Sequence, residues 1–111
     1  MNQKIKLFKK EKGYVRKVTN SFSVLNLLTG KDSDKVSVAV GTAKDHFETT
    51  KPSGDRVYFI LEGKIIVNGD IIGKAGDVIF APAKTKYRFK GTFRAVIINS
   101  PPFKKKEENI S

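Results

Sequence analysis

From Gly41 to Pro102, short apolar runs alternate with turn-forming residues at intervals too tight for a helix to develop. The markers are Gly63 in Leu61-Glu62-Gly63, the turn Asn68-Gly69-Asp70, Gly76-Asp77 ahead of Val78-Ile79-Phe80, then Pro82 and the closing Pro101-Pro102. Runs of a few β-branched and aromatic residues bounded by Gly, Pro, Asn and Asp read as strands, and their regular recurrence is the spacing of an all-β sandwich or barrel. We read strands near Phe22–Leu28, Lys35–Thr42, Asp45–Thr49, Arg56–Leu61, Lys64–Val67, Asp77–Ala81, Lys86–Phe89 and Phe93–Asn99. Glu62-Gly63 offers a tight hairpin turn. Asn68-Gly69 is a type I′ candidate, because both of its central residues tolerate positive φ. No window carries a helical apolar stripe, and Gly13 with the β-prone Tyr14-Val15 limits the segment Lys4 to Lys12 to a turn of helix.

At 111 residues the chain has the length of one domain with a modest core. We place a barrel over about 14–102, with basic, mobile ends at 1–13 and 103–111. No apolar stretch follows the basic start, and no run approaches the ~18 apolar residues needed to span a bilayer, so the expectation is a soluble, cytoplasmic protein with no membrane association. The absence of cysteine excludes disulfides and thiolate metal sites. The net charge of +11 is uneven: residues 1–17 and 101–111 carry +7 of it, and residues 18–100 the remaining +4. Runs of like charge are usually a solvated face, but a basic tail also favours polyanions through counterion release.

The glycine and proline spacing resembles the cupin family, in which two motifs supply a metal-binding cluster inside a small jelly-roll β-barrel. The resemblance covers more than half of the chain and rests on glycines, prolines and strand spacing. It implies a single-domain cupin with a double-stranded β-barrel. Counting back from Gly63, the glutamate slot of the first motif falls at Arg56 and the histidine slots at Thr49 and Lys51. The second motif begins at Gly76, passes Pro82 and places its histidine slot at Tyr87, with Lys84 and Gly91 where the family carries glycine and asparagine. The slots thus hold Thr, Lys, Arg and Tyr. A divalent ion needs imidazole, carboxylate or thiolate donors, and Arg stays protonated, so we expect no metal and no cofactor.

If Arg56 faces inward, period-two alternation takes Tyr58 and Ile60 with it. Tyr87 and Phe89 would join from the later strand, and Phe47 and Thr49 from the earlier one. His46, an odd number of residues from Thr49, should then face away. The expected pocket has Arg56 and Lys51 for an anionic group, Tyr58 and Tyr87 as hydrogen-bond donors, and Phe47, Phe89 and Thr49 as wall. The blander alternative is an interior packed shut, with Arg56 paired to Asp55, Asp45 or Glu48 and the tyrosines as core aromatics.

Three functions follow. The first is a metal-free cupin binding a small anionic or sugar-like ligand. The second is a metal-independent enzyme of the sugar isomerase or epimerase type, as in some relatives, with Tyr58 or Tyr87 as acid and Lys51 as base. The third, least favoured, is polyanion or nucleic-acid binding through the basic ends, where Phe8, Tyr14 and Phe103 interleave with lysines. Barrels of this family often pair, and an apolar face at Phe22, Val24 and Leu28, with Leu25 and Leu27 on the opposite side of the strand, suggests a homodimer.

Overall fold

The structure, a computed structural model, describes residues 4–102 and 109–110. A single 3-10 turn, Lys10–Lys12, precedes β1 (Tyr14–Thr19), β2 (Phe22–Leu28), β3 (Ser37–Lys51), β4 (Asp55–Val67), β5 (Ile71–Lys74), β6 (Val78–Ala81), β7 (Tyr87–Ser100) and β8 (Asn109–Ile110). Every pairing is antiparallel. Among the described residues no helix is long and apolar enough to cross a membrane.

β3, β4 and β7 span 15, 13 and 14 residues, well beyond the usual strand of about 5–6. Each therefore bends and serves two walls. The first wall runs β1, β2, the first half of β3, the second half of β7, the first half of β4, and β6. The second runs β8, the second half of β3, the first half of β7, the second half of β4, and β5. The sheet thus closes on itself as a jelly-roll β-barrel, which is the fold expected from the spacing.

The corners are residue-specific. Asp45 adopts a positive φ of 47° where the β3–β7 register shifts between Ala43 and His46. β4 shifts between Ile60 and Glu62, and Gly63 beyond it has φ 79°. A Cβ at Gly63 would collide with the carbonyl oxygen of Thr92, and one at Gly91 with that of Lys64, so the two bent strands cross there backbone to backbone. Four expectations are corrected by this geometry. Glu62-Gly63 is a corner within β4, not a hairpin turn. The runs on either side of Asp45, of Gly63 and of Gly91 merge into single strands. β1 and β5 were not among the strands read, although Tyr14-Val15 was noted as β-prone. Phe22, Val24 and Leu28 face the barrel interior and form no outer dimer face; the outward residues of β2 are Leu25 and Leu27, and the chain at Gly13 lies against both. Asn68-Gly69 is a turn as expected, with φ of 53° and 83°. In the C-terminal end expected to be mobile, Asn109–Ile110 pairs with Thr50 and Lys51 of β3, while 103–108 and 111 lie outside the described residues.

The core lies between the walls. Ile60, Ile65 and Ala95 have no solvent exposure. Phe89 is the hub, with its ring 6.0–6.2 Å from those of Tyr58, Phe22, Tyr87 and Phe93. Each aromatic pair adds about 0.5–1.5 kcal/mol beyond its area burial.

Candidate functional site

The core does not fill the barrel. Beneath β1 and β2 a cavity of about 280 Å³ remains open, its apolar wall made by Phe22, Val24, Leu28, Phe89 and Ile97. Its polar wall combines Arg16, Asn26, Ser37, Glu48, Arg56, Tyr58 and Asn99, while exposed Tyr14 and Gly30 stand at the rim. The interior is therefore open, against the alternative of a barrel packed shut.

Alternation on three strands places the polar groups. On β4, Arg56, Tyr58 and Ile60 point inward together. On β7, Tyr87 and Phe89 do the same, as the sequence reading had them, and Ile97 and Asn99, which it did not assign, also face in; Tyr87 lies behind Tyr58 and is not part of the cavity wall. On β3 the reading was out of phase. Up to Ala43 the odd positions face in; the extra residue at Asp45 then swaps the faces, so that His46, Glu48 and Thr50 are buried. Phe47 is accordingly 60% exposed on the outer surface, Lys51 is exposed and Thr49 half-buried. These three do not reach the cavity, and Lys51 is not available as an interior base. His46, expected to face away, is inside.

The inward groups bind one another closely. Arg56 donates from Nε to Asn99 Oδ1 at 2.6 Å. The hydroxyls of Tyr58 and Tyr87 lie 2.6 Å apart. His46 Nε2 meets Glu48 Oε1 at 2.7 Å, and its Nδ1 meets Ser21 Oγ at 2.7 Å. An ionised carboxylate only accepts, so Nε2 carries a proton toward Glu48; Nδ1 accepts from Ser21 in a neutral ring and donates to it in a protonated one. The His46 ring also stacks on Phe22, centroids 4.9 Å apart. Burial pushes both phenols up. For Tyr58 the charge of Arg56 and the bond from Tyr87 work against burial; for Tyr87 its neighbour Tyr58 raises the value further. Both are hydrogen-bond donors throughout the ordinary pH range.

The residues present do not suit a resident metal ion. His46 and Glu48 are bonded to each other, and the Arg56 cation lines the same cavity. Among the described residues no group of three His, Asp or Glu side chains converges. Sequence reasoning missed Glu48, His46, Asn99 and Arg16. The signal available for the first two was the break at Lys44-Asp45 between two strand-like runs.

The ethanolamine utilisation protein EutQ family model matches residues 4–100, and the chain belongs to that family, a cupin-type family. No curated protein matches it in sequence. Among solved structures, an ethanolamine utilisation protein Q from Salmonella typhimurium is 25% identical, with a TM-score of 0.66 over 73% of this chain and 70% of that one. The Streptomyces nucleoside dehydratase Pac13, solved in variant forms with uridine, superposes with a TM-score of 0.79 at 18% identity over 98% of this chain and 92% of its own. KdgF from a Halomonas species gives 0.73 at 12% identity, covering 93% and 99%. These likenesses establish the cupin barrel.

Proposed function

We propose that the barrel cavity binds a small, hydroxyl-bearing anion, such as a hydroxy acid or a sugar phosphate, without a metal ion. The observation that carries this reading is the convergence of Arg56, Asn99, Tyr58 and Glu48 on one wall of an open cavity whose other wall is apolar. Its volume of about 280 Å³ lies at the small end of ligand pockets, which suits a molecule of monosaccharide size. Arg16 and Arg56 outweigh Glu48 in charge, which favours an anion. Arg56 brings a planar donor already oriented by Asn99, and Glu48 accepts from hydroxyls. The test is a thermal-shift panel of hydroxy acids, uronates and sugar phosphates on the parent and on Arg56→Ala. A ligand that stabilises the parent and not the variant supports the reading; identical shifts across the panel refute it.

A second reading, a metal-independent enzyme, is favoured by one observation: Glu48 faces the cavity with an imidazole 2.7 Å behind it. That pair replaces Lys51 as the candidate base. Here Glu48 takes a proton from the bound molecule, His46 holds the carboxylate in place, and Tyr58, kept protonated by burial, donates to the oxygen that gains charge. The structural neighbour that dehydrates a nucleoside was solved with a tyrosine or a histidine substituted; here Tyr58 lines the cavity, and Tyr87 and His46 stand behind its wall, bonded to Tyr58 and Glu48. Deuterium wash-in at a carbon of the bound ligand, lost in Glu48→Gln while binding persists, distinguishes the enzyme from the binding protein.

The same reading includes pairing of two copies through the outer side of the first wall. Val15, Leu25, Val40, Val96, Phe59 and Val78 form one in-register apolar row across six strands, and Ile98, Val57 and Phe80 continue a second. Two such rows cover roughly 350 Å² at ordinary strand spacing. A standard interface buries about 800 Å² per partner. Ile5 and Leu7, 104% and 79% exposed, are further apolar side chains open to solvent near the start of the chain.

A further inference from the structure

The displaced Phe47 stands on a surface of its own. On the outer side of the second wall, Phe47, Lys90, Ile66 and Ile72 form one row across β3, β7, β4 and β5. Arg88 lies two residues along β7 on one side of this row; on the other side Lys64 stands directly opposite Lys74. All four cations are exposed. Like charges directly opposite each other weaken a strand pair, and Lys64 and Lys74 form such a pair. The carboxylates of these strands are at the margins or turned away. Asp45 sits at the corner and accepts from Thr92, exposed Glu62 stands at the β4 corner beside Lys64 and pairs with Arg94, Asp70 is in the hairpin turn, and Glu48 points inward. A cavity of about 140 Å³ lies at this face, lined by Phe47, Ile66, Gly69, Arg88, Lys90 and the buried Phe89.

We propose that this face binds single-stranded nucleic acid, with Phe47 as the stacking platform for a base and Arg88, Lys90, Lys64 and Lys74 as the phosphate contacts. An exposed aromatic ring beside a groove of cations is the arrangement that sequence-tolerant single-strand binders use: stacking holds the base and the cations track the backbone. A plain polyanion would need the charge and not the ring, so the ring selects the nucleic acid. The surface differs from the basic ends in lying on paired strands of the barrel, and from the barrel cavity in lying on the opposite side of β3.

Fluorescence anisotropy of the full chain with a labelled oligo-dT, at several salt concentrations, tests it. Binding should weaken linearly in logarithmic coordinates with added salt. Phe47→Ala should weaken it about tenfold. Lys90→Glu with Arg88→Glu should weaken it at least as much, and Lys31→Glu, a charge reversal in the loop after β2, should change it less than twofold. All four positions are exposed, and a circular-dichroism melt checks that each variant folds. The proposal is overturned by no binding at low salt. It is equally overturned if inorganic polyphosphate of matched charge binds as tightly as the oligonucleotide with Phe47→Ala indifferent, or if Lys31→Glu costs as much as the face variants.

Discussion

Tyr58 and Tyr87 show how one interior bond serves both packing and chemistry. The buried hydroxyls lie 2.6 Å apart and both also interact with Arg56, so removing one takes away one of its neighbour's partners in a largely dehydrated part of the core. Tyr58→Phe should destabilise the fold by about 1–3 kcal/mol, and the double Tyr58→Phe, Tyr87→Phe variant by less than the sum of the two singles. Urea titrations of the three variants check this. The same burial links stability to alkaline pH. Both phenols have folded pKa values raised above their ordinary 10.0, so the unfolded chain loses these protons first. Their contribution is therefore fully present below about pH 10 and is lost as pH rises above it. Chemical denaturation at pH 8 and at pH 11 should show the parent losing more stability than the double variant. An equal loss in both would contradict the assigned burial.

At the scale of the strand, the corners decide what the cavity contains. A one-residue bulge at Asp45 turned Glu48 and His46 in and Phe47 out. Glycines at 63 and 91 let the bent strands cross. Gly63→Ala must place a methyl group against the Thr92 carbonyl at a φ of 79°, and should cost about 3 kcal/mol or more. A fall in melting temperature of less than a few degrees would mean the corner is looser than described. The reach of the sequence is clearest here. Strand identity and the alternation on β4 and β7 were legible, because Arg56-Val57-Tyr58 and Tyr87-Arg88-Phe89 run without interruption on the inward phase. The phase of β3 beyond Asp45 was not, since the break at Lys44-Asp45 marks where two runs meet without saying that one extra residue is inserted there. Asn99 and Arg16 escaped for another reason: Asn99 acts through the β4–β7 register that sets it opposite Arg56, and Arg16 lies on β1, which was not among the strands read.

At the scale of the whole molecule, the two outer faces have opposite characters. The first wall carries continuous apolar rows, the second a cluster of cations around Phe47. If the apolar face pairs copies, Phe59→Lys should shift the protein from dimer to monomer in sedimentation velocity without lowering its melting temperature by more than a few degrees. A parent that sediments as a monomer at high concentration would remove that face from the account. Between the two faces lies the open cavity, and the central claim concerns what enters it. The most direct measurement is a ¹H–¹⁵N NMR titration of the full chain with sugar phosphates and hydroxy acids. The expected result is saturable shifts in the amides of residues 46–50, 56–60 and 95–99, absent in Arg56→Ala. Shifts confined to the outer lysine-rich face, or no saturable shift in those segments at millimolar ligand, would contradict the account.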